Sequence, residues 1–249
     1  AHIHVDECNA PEFFTGGAKL SLAGAADKMT PTDLEHAIGA WSQGVVHNPQ
    51  RGPLAITQAT ERGRVHSCAE ITALCEAARA HGLPVYMDGA RFANAVATLG
   101  CTPAEMTWKA GVDAVSFGGT KNGCLGVEAV IFFSPENAWE FELRRKRSAH
   151  LFSKHRYLSA QMLGYVADGL WLEAAQTANA RAARLAGGLR AVPGAEMVWP
   201  REANMIFARL PRATHRRLHD AGAVYGMYDG PLETGAPEEG LMARFVCDW

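Results

Sequence analysis

VYMDGARFANA (Val85–Ala95) and DAVSFGGTKNG (Asp113–Gly123) are the two stretches that decide the fold. Each begins with a short apolar run, typical of a buried strand, and continues into glycine and charged residues. A helical pattern lies between them, and strands that alternate with helices are typical of a parallel sheet covered by helices. Because ligands of such sheets gather beyond the carboxyl ends of the strands, we expect Asp88 and Lys121 at the same rim.

The neighbouring sequence extends this α/β pattern. Thr30 is a good N-cap for a helix that runs to about Trp41. Ser67 and Glu70 have the spacing of a capping box, and they precede an apolar helical stripe that stops at Gly82. A short helix is expected around TPAEMTWKAG (102–111). Strands are predicted for AHIHVDE (1–7), PLAITQAT (53–60), VDAVSF (112–117) and EAVIFF (128–133), the last of them fully buried.

The second half of the chain changes in character. From about Phe141 to Pro193 the sequence is helical, which is typical of a bridge between domains. The segments EMVWPREANMIFARL (196–210) and GLMARFVCDW (240–249) then predict strands that flank a helix. We therefore predict a large domain over residues 1–168 and a small C-terminal α+β domain over residues 169–249 that includes the bridging helix.

Composition restricts the class of partner. Lys and Arg number 24 against 26 acidic residues, and this balance gives no electrostatic field for nucleic acid or an anionic membrane. No apolar stretch approaches the roughly 20 residues of a membrane span. The six cysteines include no C-x-x-C pair and no metal-ligand spacing. A small-molecule partner, no metal, and a cytoplasmic location with reduced thiols are therefore expected.

The two glycine-rich stretches carry groups suited to one cofactor. A lysine amine just past a strand end can form a Schiff base with an aldehyde when a dry pocket lowers the amine pKa. A carboxylate at the end of the preceding strand can keep the ring nitrogen of pyridoxal protonated. Lys121 and Asp88 supply these groups. Each also has an ordinary interpretation, Lys121 as a solvated turn residue and Asp88 as the cap of the next helix.

Three segments, HIHVDECNAPEFFTGGAKL (2–20), MDGARFANA (87–95) and SFGGTKNG (116–123), together resemble the low-specificity threonine aldolases. The resemblance covers nearly the whole chain. It implies the aspartate aminotransferase fold (fold type I), an α/β large domain with a mostly parallel sheet plus a small C-terminal α+β domain. It also implies the cofactor pyridoxal 5'-phosphate, and cleavage of L-threonine, L-allo-threonine and other β-hydroxy-α-amino acids to glycine and an aldehyde.

The resemblance implies roles for residues in these motifs. Lys121 matches the Schiff-base lysine, Thr120 beside it is expected to contact the cofactor, and Asp88 matches the partner of the pyridine nitrogen. Arg91, in the same box as Asp88, and Arg244, in the small domain, match the arginines near the substrate carboxylate, where a guanidinium can bind two oxygens. The ordinary interpretations are a salt bridge for Arg91 and a solvated charge for Arg244.

Further candidates are assigned less directly. His2 matches the histidine that stacks on the cofactor ring, with His4 as the competing candidate. Glu61 stands where many relatives have another histidine, and a carboxylate there could take the substrate hydroxyl proton or could be a surface loop residue. Arg156, in a basic cluster, is a candidate near the cofactor phosphate or the subunit boundary.

The resemblance also implies a homodimer or homotetramer with shared active sites. Because relatives carry a phosphate-binding loop ahead of the histidine segment, we expect the sequence to be truncated at its N-terminus and slightly at its C-terminus. Two alternatives stay open. One is another fold type I enzyme, a β-eliminating lyase or an aminotransferase; the other is a catalytically incompetent fragment.

Overall fold

Ten α-helices and eight strands make up the chain, and a computed structural model describes all of residues 1–249. The strands are β1 (Leu54–Thr57), β2 (Val85–Gly89), β3 (Ala114–Gly118), β4 (Glu128–Phe132), β5 (Glu196–Met197), β6 (Met205–Pro211), β7 (Gly226–Met227) and β8 (Gly240–Val246). The helices are α1 (His2–Val5), α2 (Ala10–Thr15), α3 (Pro31–Gly39), α4 (Cys68–Ala80), α5 (Phe92–Leu99), α6 (Pro103–Met106), α7 (Ala138–Arg147), α8 (Arg156–Val166), α9 (Leu170–Arg190) and α10 (Arg212–Asp220).

The first sheet is mostly parallel, as the alternation of strands and helices predicted. Its order is β1-β2-β3-β4, with β1, β2 and β3 parallel and β4 antiparallel to β3. Val85, Met87 and Val115 point to one face of this sheet and are buried in the main core with Ile71 and Leu74 of α4. The carboxyl ends of the three parallel strands therefore lie along one rim.

The predicted helix starts are confirmed. Thr30 accepts a hydrogen bond from the Asp33 amide and begins α3, and Ser67 does the same with Glu70 at the start of α4. In both cases the acidic side chain accepts from the backbone N–H of the cap, which completes a capping box. A third box, Thr102 with Glu105, begins α6.

Two strand predictions are wrong in part. Residues 1–7 contain the short helix α1 rather than a strand, and the amide of His4 bonds within the segment, to the carbonyl of Ala1. A strand needs a neighbour for its backbone groups, and the described sheets offer this segment none. The strand β4 exists but is not fully buried, because it forms an edge of the sheet with Val130 and Ile131 exposed.

A second sheet, of order β5-β6-β8-β7, is antiparallel throughout. One face is covered by α9, whose Ala182, Ala186 and Leu189 share a core with β6 and β8. The imidazole of His215 on α10 is completely buried and bonds the Tyr225 hydroxyl through Nδ1 at 2.8 Å and the carbonyl of Leu241 through Nε2 at 2.9 Å. The predicted α+β arrangement of strands flanking a helix is confirmed.

The helical bridge is divided into α7, α8 and α9 rather than being continuous. The longest of these, α9, packs against α5 below the first sheet, where Asn179 exchanges hydrogen bonds with Asn94. The two sheets are thus joined through α9. The division at residues 168 and 169 stays a prediction.

None of the helices combines the length and the apolar composition that crossing a bilayer requires.

Candidate active site

The two glycine-rich segments of the first sheet pack backbone against backbone. Asp88 is paired with Ser116 in the register of β2 and β3. A Cβ atom added at Gly118 would lie 2.6 Å from the carbonyl oxygen of Ala90, and one added at Gly89 would collide with the carbonyl oxygen of Ser116. Only glycine permits this approach. The segments that carry Asp88 and Lys121 are therefore direct neighbours.

Asp88 lies on the face of the sheet opposite to the main core, and it is half-buried. Its Oδ1 accepts a hydrogen bond from the Ala90 amide at 3.0 Å, and Oδ2 has no protein partner. The hydrogen bond is to the turn before α5 and not to α5 itself, so Asp88 is not the cap of that helix. Next to it, burial raises the pKa of Tyr86, against the effect of a hydrogen bond with Ser116, so the phenol stays protonated.

Lys121 occupies a single turn of 3-10 helix directly after β3. Its side chain is exposed, and Nζ forms no hydrogen bond or ion pair with the protein. Thr120 differs, since its hydroxyl and its amide both donate to the Glu128 carboxylate, the amide at 3.1 Å. The amine of Lys121 thus has no protein partner, whereas the expected cofactor contact, Thr120, already bonds Glu128.

Arg91 is the most strongly perturbed charge in this region. The residue is half-buried, and its Nε is fully buried with no hydrogen-bond partner. The pKa of Arg91 is lowered, first by burial and then by the positive charge of Arg244, while Glu61 and Asp88 act in the opposite direction. Three other predicted site residues, Arg244, Glu61 and Asp88, are therefore near enough to affect Arg91, although Arg91 has no hydrogen bond to either carboxylate.

Arg244 comes to this group from the second sheet. It lies on β8, between Phe207 of β6 and Gly226 of β7, and its side chain is exposed. It forms no ion pair. The candidate site is therefore built between the two sheets, with Asp88 and Arg91 on one side and Arg244 on the other.

Glu61 lies in the turn that follows β1, and Glu202, in the loop between β5 and β6, holds the residues after this turn. One carboxylate oxygen of Glu202 accepts from Arg64 Nε at 2.7 Å, and the other accepts from the Val65 amide at 2.7 Å. The carbonyl of Glu202 accepts from the Thr98 hydroxyl. Glu61 itself is half-buried and makes no hydrogen bond through its side chain. Its carboxylate is therefore available near Arg91.

A family model described as beta-eliminating lyase matches residues 1–211. The chain belongs to the beta-eliminating lyase family. Within the family, the chain is similar to proteins named low specificity L-threonine aldolase. It is 41% identical over 250 residues to the one from Pseudomonas sp. (strain NCIMB 10558), and 42% identical over 251 residues to the one from Pseudomonas aeruginosa. In each case the match covers all of this chain and 69% of the relative.

The fold is similar to that of the solved Leishmania major threonine aldolase. The TM-score is 0.87 at 26% identity, and the match covers all of this chain and 70% of the solved one. The resemblance that three sequence motifs predicted is therefore confirmed, and so is the fold class, an α/β fold of the aspartate aminotransferase type.

Two histidine candidates of this beta-eliminating lyase lie in the N-terminal segment. The ring of His2 contacts Glu7, Nδ1 to Oε1 at 2.5 Å, and His4 is exposed. No contact joins either ring to Asp88 or Lys121. Arg156 is exposed at the start of α8, with its guanidinium 4.8 Å from the ring centre of Tyr157. The structure thus shows no contact between these candidates and Asp88, Arg91 or Lys121.

Sequence reasoning missed the residues that hold the lysine turn. The buried Tyr165 of α8 donates a hydrogen bond to the carbonyl of Gly118 at 3.1 Å. Asn122, next to Lys121, donates to the Tyr165 hydroxyl at 2.6 Å and to the carbonyl of Trp171 at 2.7 Å. A tyrosine and a tryptophan within a helical run give no local signal of this contact. The missed residues fix the backbone on both sides of Lys121.

The residues present fit pyridoxal phosphate. Lys121 offers an amine without a partner, Asp88 an oxygen without a partner, and Arg91 a buried N–H without a partner. A buried donor left without an acceptor costs about 1–3 kcal/mol, so a site that leaves one free is suited to an anionic ligand. No group of three or more His, Cys, Asp or Glu side chains is arranged to hold a metal ion.

Proposed function

We propose that this beta-eliminating lyase uses pyridoxal 5'-phosphate to cleave L-threonine, L-allo-threonine and other β-hydroxy-α-amino acids to glycine and an aldehyde. Two relatives at 41% and 42% identity carry the name low specificity L-threonine aldolase. One observation on the chain itself carries the proposal. The buried Nε of Arg91 has no partner, and the charges of Arg244, from the other sheet, and of Asp88 both affect the Arg91 pKa.

The two arginines bind the substrate carboxylate. Arg91 is buried near the positive charge of Arg244, and both effects lower its pKa. The charged guanidinium is therefore destabilised when no ligand is bound. The carboxylate of a substrate would remove both effects, because it accepts hydrogen bonds from the buried N–H groups and its negative charge offsets the charges of the two arginines. Since Arg244 is exposed, it can approach the carboxylate from the second sheet. Binding at one end of the amino acid then orients the Cα–Cβ bond.

Lys121 and Asp88 hold the cofactor. The amine of Lys121 would bind the aldehyde group of the cofactor, and the carboxylate of Asp88 would keep the ring nitrogen protonated. When bound, the cofactor supplies an electron sink for the electron pair left on the substrate Cα. The hydrogen bond from the Ala90 amide supports the role of Asp88, because it orients the carboxylate and leaves Oδ2 free for the ring nitrogen.

Glu61 is the proposed base. Its carboxylate accepts the proton of the substrate β-hydroxyl, and the aldehyde carbonyl forms as the Cα–Cβ bond breaks. Its position near Arg91 supports this role, since the hydroxyl is close to the carboxylate in a β-hydroxy-α-amino acid. His2 is proposed to stack on the cofactor ring.

We also propose that the chain acts in the cytoplasm as a homodimer or homotetramer, with domains of residues 1–168 and 169–249. Six free thiols suit a reducing compartment. Large apolar side chains are exposed on both halves of the chain, among them Phe13, Leu125 and Val224 at 79%, 93% and 96%. Burial of such side chains between subunits would support assembly. Sedimentation as a strict monomer would count against it.

A cofactor titration tests the function. Purified protein mixed with pyridoxal phosphate should develop a visible absorbance band that Lys121→Ala lacks and that Lys109→Ala, which removes another exposed lysine, retains. The loaded protein should form glycine from threonine without a keto acid. If the wild type develops no band, the chain is catalytically incompetent. If glycine is not formed, or amino-group transfer needs a keto acid, the chain is another enzyme of the fold type.

A further inference from the structure

Two cysteines outside the candidate active site line one surface cavity. Cys68 and Cys101 both reach a cavity of about 390 Å³, whose wall also contains Thr72, Glu105 and Lys109. Both cysteines are partly exposed, and both are free thiols. The cavity is on the helical side of the first sheet, and none of its residues has a place in the proposed reaction.

Both thiols are held by well-defined helix ends. Cys68 is the first residue of α4, directly after the Ser67 cap. Cys101 lies between Gly100, which ends α5 at a φ of 63°, and Thr102, which caps α6. Because capping interactions fix the residues beside each cysteine, they restrain the backbone of both cysteines. The two thiols are therefore presented to the same cavity in a defined arrangement.

The thiols also influence each other. Burial raises the pKa of Cys101 to about 12, and the neighbouring thiol of Cys68 adds to this shift. Other half-buried cysteines differ in this respect. Cys124 and Cys247 have pKa values raised by burial, but no other thiol contributes to either shift. Cys75 is completely buried on α4 and does not reach the cavity.

We propose that Cys68 and Cys101 form a redox-active dithiol that is oxidised to an internal disulfide by low-molecular-weight disulfides. The proposal is independent of the proposed catalytic function. It rests on the shared cavity, the position of each thiol at a fixed helix end and the access of both thiols to solvent. The oxidised bond would tie the start of α4 to the turn between α5 and α6.

The exchange proceeds in two steps. The thiolate of Cys68 attacks one sulfur of the disulfide RSSR, which forms a mixed disulfide and releases one RS⁻. Cys101 then loses its proton and attacks the Cys68 sulfur, which forms the Cys68–Cys101 bond and releases the second RS⁻. In total, two protein thiols and one RSSR give one protein disulfide and two RSH. Cys68 reacts first because Cys101, at a pKa of about 12, is protonated at neutral pH.

The test is incubation of the folded chain with glutathione disulfide, followed by alkylation, trypsin digestion without reductant, and mass spectrometry. We expect a linked pair of peptides, residues 65–79 and residues 92–109, at a mass two hydrogen atoms below their sum, which dithiothreitol separates. Fragmentation should place the bond at Cys68 rather than Cys75. Cys68→Ser and Cys101→Ser should each abolish the linked peptide, while the control Cys247→Ser should leave it unchanged.

Other results would overturn the proposal. One is a glutathione adduct on Cys68 or Cys101 with no linked peptide, because a single reactive thiol is not a dithiol. Another is a linked peptide only in urea, since the bond would then belong to the unfolded chain. Circular dichroism of both variants checks their fold. If they unfold, the linked peptide in the wild type still decides, because its presence or absence needs no variant.

Discussion

Replacement of Arg91 with methionine is expected to stabilise the chain while it weakens amino-acid binding. The buried Nε of Arg91 has no partner, and the guanidinium lies near a second positive charge. An unsatisfied buried donor costs about 1–3 kcal/mol, and the unbranched methionine side chain can fill the same space. Arg91→Met should therefore raise the free energy of unfolding by about 1–3 kcal/mol.

The same substitution should remove the charge-assisted hydrogen bonds to the substrate carboxylate. Such bonds contribute about 1.5–3 kcal/mol, which corresponds to a loss of roughly 10- to 100-fold in kcat/KM. Denaturant unfolding of the chain without substrate measures the first effect, and steady-state cleavage of threonine by the chain with pyridoxal phosphate measures the second. Gain in stability with loss of activity is the signature of a residue kept for binding.

Arg64→Met is the matched control. Arg64 is also partly buried, but its Nε donates to Glu202 at 2.7 Å. Its loss should therefore destabilise the chain, by about 1.5–3 kcal/mol. If Arg91→Met unfolds at a lower denaturant concentration than the wild type, as Arg64→Met should, then Arg91 is part of a structural salt bridge and the binding argument fails.

Three further predictions concern packing, pH and catalysis. Gly118→Ala places a Cβ 2.6 Å from the carbonyl oxygen of Ala90 and should cost about 1–3 kcal/mol in thermal or denaturant unfolding, whereas Gly126→Ala, with nothing within 4 Å, should cost little; equal effects would contradict the packing. Burial lowers the pKa of His215 in the folded chain, so the unfolded chain binds the proton more readily, and the free energy of unfolding should fall as the pH drops below the ordinary pKa of 6.5. His215→Gln should lose less stability than the wild type between about pH 7.5 and 5.5. A variant with the same pH profile as the wild type would refute this. Glu61→Gln cannot accept a proton and should lower kcat roughly 10²- to 10⁴-fold with an unchanged cofactor band, and near-normal turnover would exclude this base.

Much of the fold is specified by local sequence. Capping boxes at Thr30 and Ser67 depend on residues three positions apart, so the sequence alone located both helix starts. The glycines beside Asp88 and Lys121 marked two strand ends, and the parallel order of β1, β2 and β3 placed those ends at one rim. The capping boxes and the strand ends each depend on a few adjacent residues, so both can be predicted without knowledge of tertiary contacts.

Other features depend on contacts that the sequence does not display. The alternation of residues 1–7 is compatible with a strand, but backbone pairing decides the outcome, and this segment forms α1 instead. The exposure of β4 follows from its place at a sheet edge, which its apolar sequence cannot reveal. The links from Glu202 to Arg64 and Val65 join residues more than a hundred positions apart, and nothing in either segment indicates the other.

Those links from Glu202 have a mechanical consequence. Glu202 precedes β6 in the chain, and β6 pairs with the strand that carries Arg244. A rotation of the second sheet that moves Arg244 must either carry the turn of Glu61 with it or break both carboxylate hydrogen bonds of Glu202. While the Glu202 bonds hold, a ligand that pulls on Arg244 also repositions Glu61, so binding at one end of a molecule moves an acidic group toward its other end.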